Sequence, residues 1–179
     1  MAKKVLILHG WGGSDFPHWQ SWLANELAKD YGKVSFLKLS DFDEPKLEIW
    51  LKELKDELED FRPDIVVCHS LANILWFHLC NSTNMKEIQK LFLVAPPSLS
   101  CKIAELQSFF PVRVPQDLKA KDVLLISSTN DPYMNEEEVK TLQKALNVKM
   151  EVIDKGGHIN SDSGFGKWPW ILEEVKKSL

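Results

Sequence analysis

Three short polar motifs, far apart in the chain, contain the residue types of a nucleophile, an acid and a base. Ser70 follows Cys68 and His69, Asp131 lies between an asparagine and a proline, and His158 follows two glycines. A serine hydroxyl becomes a strong nucleophile when an imidazole accepts its proton and a carboxylate holds that imidazole in place. We therefore predict Ser70 as the nucleophile, Asp131 as the orienting acid and His158 as the base of an acyl-transfer site.

Each motif taken alone also fits a plainer explanation. A serine at the end of a strand often caps the next helix, and Asp-Pro is a common turn. Asp154 is a second candidate acid, but it precedes His158 by only four residues and is expected simply to end its strand. Cys68 is expected to face the interior as a small apolar side chain. The prediction therefore depends on the agreement of all three motifs.

Four further histidines occur in positions that fit the role of base less well, namely His9, His18, His69 and His78. His9 ends the first apolar run, where a structural hydrogen bond is expected. His158 alone follows both the serine and the aspartate at the end of a predicted strand.

A glycine-rich loop early in the chain could supply backbone donors to such a site. Residues 9–14 read His-Gly-Trp-Gly-Gly-Ser, and glycines allow a chain to pass close to a substrate. We predict that the amides of Trp11 and Leu71 form an oxyanion hole. The loop lacks both the GxGxxG pattern and the GK[ST] phosphate cradle, which argues against a nucleotide site.

The motifs follow apolar runs that alternate with segments of helical periodicity. Strands are predicted at residues 5–8, 34–37, 65–68, 91–95, 123–127 and 148–153, and helices at 19–29, 71–79, 136–146, 169–177 and between Pro45 and Pro63. Alternating strands and helices indicate a single domain over 1–179 with a doubly wound, six-stranded parallel sheet. We predict the strand order 2-1-3-4-5-6 with helices on both faces, which places a switch point between strands one and three.

Residues 96–121 form a long connection without clear periodicity. It contains four prolines and the pair Phe109-Phe110, and two interpretations stay open: a small cap over the site, or an irregular surface loop with one short helix. Four aromatic residues are predicted to line a substrate pocket: Trp11, Phe109, Phe110 and Trp168.

Composition excludes several classes of function. The 179 residues carry a formal net charge of −4, which argues against nucleic acid as a partner, and no apolar run is long enough for membrane insertion. Three cysteines without metal-ligand spacing fit reduced thiols in a cytoplasmic protein. Neither a metal nor an organic cofactor is expected. A protein partner or weak self-association stays open.

The chain resembles, over essentially its whole length, the small lidless α/β-hydrolases typified by retinoblastoma-binding protein nine and the YdeN-like serine hydrolases. The motifs that carry the resemblance lie at residues 9–14, 18–20, 69–71, 128–133, 157–160 and 164–169. The Ser, Asp, His chain order also belongs to α/β-hydrolases. The resemblance implies the same three roles for Ser70, Asp131 and His158. It departs at the elbow, where members usually carry glycines and this chain has Cys68 and Ala72.

These observations predict a serine hydrolase that cleaves a small ester, or an amide, through an acyl-enzyme. The competing hypothesis is a binding module on a hydrolase scaffold, because a fold does not determine a function. In that case Ser70 would be unreactive and residues 96–121 would offer a partner surface.

Overall fold

A six-stranded parallel sheet forms the centre of the molecule. The computed structural model describes residues 3–30, 33–82 and 84–179. The strands are β1 (Val5–Leu8), β2 (Val34–Leu37), β3 (Ile65–His69), β4 (Ile88–Val94), β5 (Ala120–Ser128) and β6 (Lys149–Ile153). Their order is β2-β1-β3-β4-β5-β6 with every pair parallel. The predicted order and the switch point between β1 and β3 are confirmed.

Helices cover both faces of this sheet. They are α1 (Trp19–Asp30), α2 (Leu47–Phe61), α3 (Leu71–Ser82), α4 (Glu136–Leu146) and α5 (Pro169–Lys176). Buried residues of α1 and α5 pack on one face, and those of α2, α3 and α4 pack on the other. Because all six strands run parallel, their carboxyl ends meet at one edge of the sheet.

The central strands alternate their side chains between these two cores. On β1, Val5 and Ile7 point toward α1 and α5, whereas Leu6 and Leu8 point toward the other helices. All four are at most 2% exposed, as continuous apolar runs in a parallel sheet require. Burial on both faces holds the end of β1 rigid where the glycine-rich loop begins.

The helix boundaries follow local capping chemistry. The side chain of Asn135 accepts a hydrogen bond from the Glu138 amide, and the Glu138 carboxylate accepts one from the Asn135 amide, which together form a capping box at the start of α4. α2 ends at Phe61, because the next residue, Arg62, is in the left-handed region and directly precedes Pro63, which blocks a further helical turn.

Two strands begin earlier than the apolar pattern predicted. β4 starts at Ile88 and β5 at Ala120, and these two residues pair with each other. Charged side chains interrupt the apolar runs there: Lys90 and Asp122 lie opposite each other and form a 2.6 Å ion pair across the strands. Cross-strand charge pairing of this kind extends a sheet without any apolar signal in the sequence.

The connection between β4 and β5 packs onto the face covered by α2 and α3. It contains one 3-10 helix, Ala104–Phe109. Its backbone accepts hydrogen bonds from Trp76 Nε1 at Leu118 (3.0 Å) and from His78 Nε2 at Phe109 (2.8 Å). Within the described ranges, no helix combines the length and apolar character needed to cross a membrane.

Candidate active site

Ser70 lies in the sharp turn between β3 and α3. Its φ of 54° is in the left-handed region, which a residue other than glycine adopts only when its surroundings hold it there. The Ser70 amide donates to the carbonyl of Val94 (3.0 Å). The side-chain amide of Asn73 donates to the carbonyls of both Ser70 and Val94, each at 2.8 Å. Asn73 thus ties the strained turn to the end of β4.

The positions that carry glycine in most such turns hold Cys68 and Ala72, and both are fully buried. In this chain, the glycine that allows the backbone to pass close to the serine turn is Gly10, in the loop after β1. A Cβ atom on Gly10 would lie 2.7 Å from the Cβ of Ser70 and 3.0 Å from the carbonyl oxygen of His69. The turn therefore packs directly against the glycine-rich loop after β1.

His158 is held by contacts on both sides of its loop. Gly157 has a φ of 54°, and the His158 amide donates to Ser163 Oγ (3.1 Å). The His158 carbonyl accepts a hydrogen bond from His69 Nε2 (3.0 Å). Because burial lowers the pKa of His69 well below its usual range, that ring is neutral and donates from Nε2. The residue next to the serine thus helps to place the histidine.

The three predicted residues form one hydrogen-bonded chain. His158 Nε2 lies 2.8 Å from Ser70 Oγ, and His158 Nδ1 lies 3.0 and 2.9 Å from the two carboxylate oxygens of Asp131. The side chains of His158 and Asp131 are only 9% and 4% exposed. The three side chains are thus continuous in space, although they are separated by up to 88 residues in sequence.

A second contact joins the loops that carry the acid and the histidine. Asn130 Oδ1 accepts from the Gly157 amide (2.8 Å) and from Ser128 Oγ (2.9 Å). Asp154, the other candidate acid, receives a hydrogen bond from Thr129 Oγ1 instead (3.2 Å) and is exposed. The structure therefore brings Asp131, and not Asp154, to the imidazole.

Both predicted oxyanion donors border the cleft above Ser70. Within the described part of the chain, the amides of Trp11 and Leu71 donate no hydrogen bond to another protein group. Leu71 is the first residue of α3, where the helix dipole favours negative charge. The indole of Trp11 is anchored by donation to the carbonyl of Asp43 (2.9 Å).

The cleft has a volume of about 270 Å³ and two unlike walls. Pro97, Ile103 and Leu106 of the β4–β5 connection form an apolar wall, and Leu106 joins the core under α2 and α3. His18 and residues 160–162 form a polar wall beside the core under α1 and α5. A substrate in the cleft would therefore meet apolar groups on one side and hydrogen-bonding groups on the other.

Three predicted pocket residues lie elsewhere, and the prediction is wrong for them. Phe109 is fully buried, with its ring centroid 5.3 Å from that of Trp50, and Phe110 packs against the same core. Trp168 is 8% exposed and contacts Trp19 in the opposite core. A large aromatic ring is more stable when it is buried in a core than when it is partly exposed in a small cleft. Trp11 alone of the four lines the cleft.

His9 and Cys68 take structural positions. His9 donates to the Gly10 carbonyl (2.8 Å) through Nδ1 and accepts from the Leu39 amide (3.0 Å), as predicted. Burial raises the pKa of the Cys68 thiol well above its usual range, which makes it a poor nucleophile. Among the described residues, no group of three or more histidine, cysteine or acidic side chains is arranged to hold a metal ion.

Several cleft residues were missed as site residues by sequence reasoning, and two of them, Tyr133 and His18, lie beside histidines of the site. The Tyr133 ring lies 4.5 Å from that of His158, centroid to centroid, and His18 lies 4.9 Å from His69. Tyr133 directly follows the Asp-Pro turn, so its proximity to the acid was the signal available. His18 directly precedes α1 and belongs to the 18–20 motif, which carried the family resemblance but indicated no role for the imidazole.

A parallel sheet of this order, with a serine turn after β3 hydrogen-bonded to a histidine after β6, defines an α/β-hydrolase of the serine type. The chain belongs to the Serine hydrolase family, whose sequence model matches residues 5–177. The family and fold expected from the motifs are thereby confirmed.

Comparison with individual proteins agrees with this assignment. The chain is 27% identical to the YdeN protein of Bacillus subtilis over 180 residues, covering 97% of this chain and 94% of YdeN. The crystal structure of the B. subtilis ydeN product superposes with a TM-score of 0.84, at 23% identity and 98% coverage of both chains. A YdeN-like protein from Pectobacterium atrosepticum gives 0.79, at 22% identity, covering 97% of this chain and 89% of that one. An esterase domain from a Rhodothermus marinus protein gives 0.67, at 12% identity, with 97% and 85% coverage.

Proposed function

We propose that Ser70, His158 and Asp131 are the catalytic triad of an enzyme that hydrolyses small esters. The observation that carries this proposal is the unbroken hydrogen-bond chain from Asp131 through His158 to Ser70, with heavy-atom distances of 2.8 to 3.0 Å. Distances in this range allow direct proton transfer from hydroxyl to imidazole.

In the first half of the reaction, Ser70 Oγ attacks the acyl carbon while its proton passes to His158 Nε2. Asp131 accepts the hydrogen bond from His158 Nδ1, which fixes the tautomer and stabilises the imidazolium ion. The carbonyl oxygen becomes an oxyanion, and the amides of Trp11 and Leu71 donate to it. Preorganised donors of this kind are worth roughly 3 kcal/mol each in the transition state.

Collapse of that intermediate breaks the bond to the alkoxy group, which takes the proton from His158 Nε2 and leaves as the alcohol. A water molecule then attacks the acyl-enzyme, giving its proton to His158. The second tetrahedral intermediate releases the acid, and Ser70 recovers its proton. Every proton transfer uses the same imidazole nitrogen.

Three features support a small ester as the substrate. The cleft volume of about 270 Å³ lies just below the roughly 300–1,000 Å³ of pockets that hold drug-sized ligands. The apolar wall suits a short acyl or alkyl chain. Structural neighbours include proteins named as esterases, from Rhodothermus marinus and Pyrococcus furiosus.

The test is hydrolysis of p-nitrophenyl acetate, butyrate and octanoate beside the matching p-nitroanilides. We expect the short esters to be preferred, and Ser70→Ala to lower kcat by on the order of 10⁴ or more. Asp131→Asn should also lose activity, whereas Asp154→Asn, its control at an exposed carboxylate, should not. A Ser70→Ala protein with wild-type turnover would falsify the proposal and favour the binding-module hypothesis.

We further propose a cytoplasmic location. Its support is that Cys68, Cys80 and Cys101 are all free thiols, which persist in reducing compartments. Fractionation of cells that express the tagged protein tests this, and recovery outside the cytoplasm would overturn it.

A further inference from the structure

His18 occupies an unusual position for a neutral histidine, because it caps a helix and borders the cleft at once. It immediately precedes α1, and its Nδ1 accepts a hydrogen bond from the Gln20 amide (3.2 Å). Side-chain acceptors at this position satisfy amides in the first turn of a helix. A neutral imidazole whose Nδ1 accepts must carry its proton on Nε2.

The ring of His18 is neutral under ordinary conditions. Burial, aided by the nearby His158 and His9, lowers its pKa to about 4. The ring is also fixed in orientation, since its centroid lies 4.9 Å from that of His69 and 5.6 Å from that of Trp19. His18 thus presents a rigid N–H donor and not a mobile cation.

This N–H donor opens into the cleft. His18 borders the cleft together with Ser70, and its Nε2 has no acceptor among the described residues. Among the described residues, four buried side-chain polar atoms lack a hydrogen-bond partner: Ser14 Oγ, Gln20 Oε1, Asn73 Oδ1 and Ser127 Oγ. His18 Nε2 is not among them, so this nitrogen keeps some exposure to solvent, and the cleft is the cavity that His18 lines.

We propose that His18 selects substrates by donating from Nε2 to an oxygen acceptor close to the scissile ester. This inference rests on the proposed function. It assigns the polar wall to an ether, hydroxyl or carbonyl oxygen and the apolar wall to an alkyl group. A substrate without that oxygen would shield the Nε2–H of His18 from water and offer it no acceptor. Such a substrate would bind less favourably by about the free energy of one hydrogen bond.

The experiment uses two pairs of esters that differ by one oxygen in place of a methylene. On the acyl side these are p-nitrophenyl methoxyacetate and p-nitrophenyl butyrate; on the alcohol side, 2-methoxyethyl butyrate and butyl butyrate. kcat/KM is measured for wild type, His18→Phe and His18→Asn. Phenylalanine keeps an aromatic ring but no donor, whereas asparagine keeps both a capping acceptor and an N–H donor.

We expect the preference for the oxygen-bearing ester to fall about tenfold in His18→Phe for one pair, as for one lost hydrogen bond. His18→Asn should restore most of it, and the affected pair shows which side of the ester faces His18. Because each preference is a ratio within one protein, a lower folded fraction does not alter it.

Unchanged preferences in both pairs, or an equal loss for all four esters, would overturn the role of His18 while leaving the proposed function intact. A wild-type protein that hydrolyses none of the four esters would overturn the proposed function and this inference together.

Discussion

Replacing Gly10 by alanine tests the contact between the glycine-rich loop and the nucleophile turn. The new Cβ would lie 2.7 Å from the Cβ of Ser70, 3.0 Å from the His69 carbonyl oxygen and 3.1 Å from the Leu71 nitrogen. Two of these neighbours are backbone atoms, so no side-chain rotation relieves the overlap. The φ of Gly10 lies outside the left-handed region, so alanine itself is not strained there.

The size of the effect follows from these distances. Ordinary contacts of a Cβ begin at 3.4 Å, so the loop and the turn must separate by about 0.7 Å, the difference between 3.4 and 2.7 Å. Misplacing a catalytic group by about 1 Å can cost roughly 100-fold in rate. We expect kcat to fall on the order of 10- to 100-fold, and the free energy of unfolding to fall by about 1–3 kcal/mol, as for an overpacked site.

The assay is p-nitrophenyl butyrate turnover together with urea unfolding, so that lost activity is separated from lost folding. Gly164→Ala is the control, because Gly164 is in the left-handed region (φ 88°) with no atom within 4 Å of its would-be Cβ. It should lose about 1 kcal/mol of stability and keep its turnover. A folded Gly10→Ala enzyme with wild-type kcat would refute the close packing.

Two further predictions concern the histidine loop and the buried histidines. Asn130→Ala removes the acceptor of the Gly157 amide (2.8 Å), so kcat should fall about tenfold or more with KM little changed, and Asn130→Asp, which keeps an acceptor, should retain more activity in the same assay. Burial lowers the folded-state pKa values of His9, His18 and His69, that of His18 from 6.5 to about 4. The unfolded chain therefore binds more protons below pH 6.5, and stability is lost as pH falls from 6.5 toward 4. The stability lost between pH 7 and pH 4, measured by urea unfolding, should therefore be smaller in His18→Phe than in wild type, and an equal loss would contradict a lowered pKa of His18.

The sheet order and the three triad candidates were accessible from the sequence because both depend on local patterns. Apolar runs covered on two faces mark parallel strands, and the polar residue that follows each run must lie at one edge of the sheet. The early start of β4 escaped this reasoning, since Lys90 breaks the apolar run and its partner Asp122 lies 32 residues away.

The lining of the cleft was less accessible. An apolar residue in a non-periodic connection can be buried in a core or can line a cavity. In the β4–β5 connection, Phe109 is buried in the core and Ile103 lines the cleft. Contacts such as that of His69 Nε2 with the His158 carbonyl join residues 89 apart and leave no periodic signal. Such contacts depend on the final path of the loops.

Intact-mass analysis after reaction with a fluorophosphonate tests most directly whether His158 activates Ser70. Attack by Ser70 Oγ on phosphorus expels fluoride and leaves one stable adduct, and the reaction needs the proton acceptor that His158 provides. We predict one adduct on wild type and Asp154→Asn, none on Ser70→Ala, and much slower labelling of His158→Ala. No adduct on folded wild-type protein, or labelling of His158→Ala at the wild-type rate, would contradict a Ser70 activated by His158.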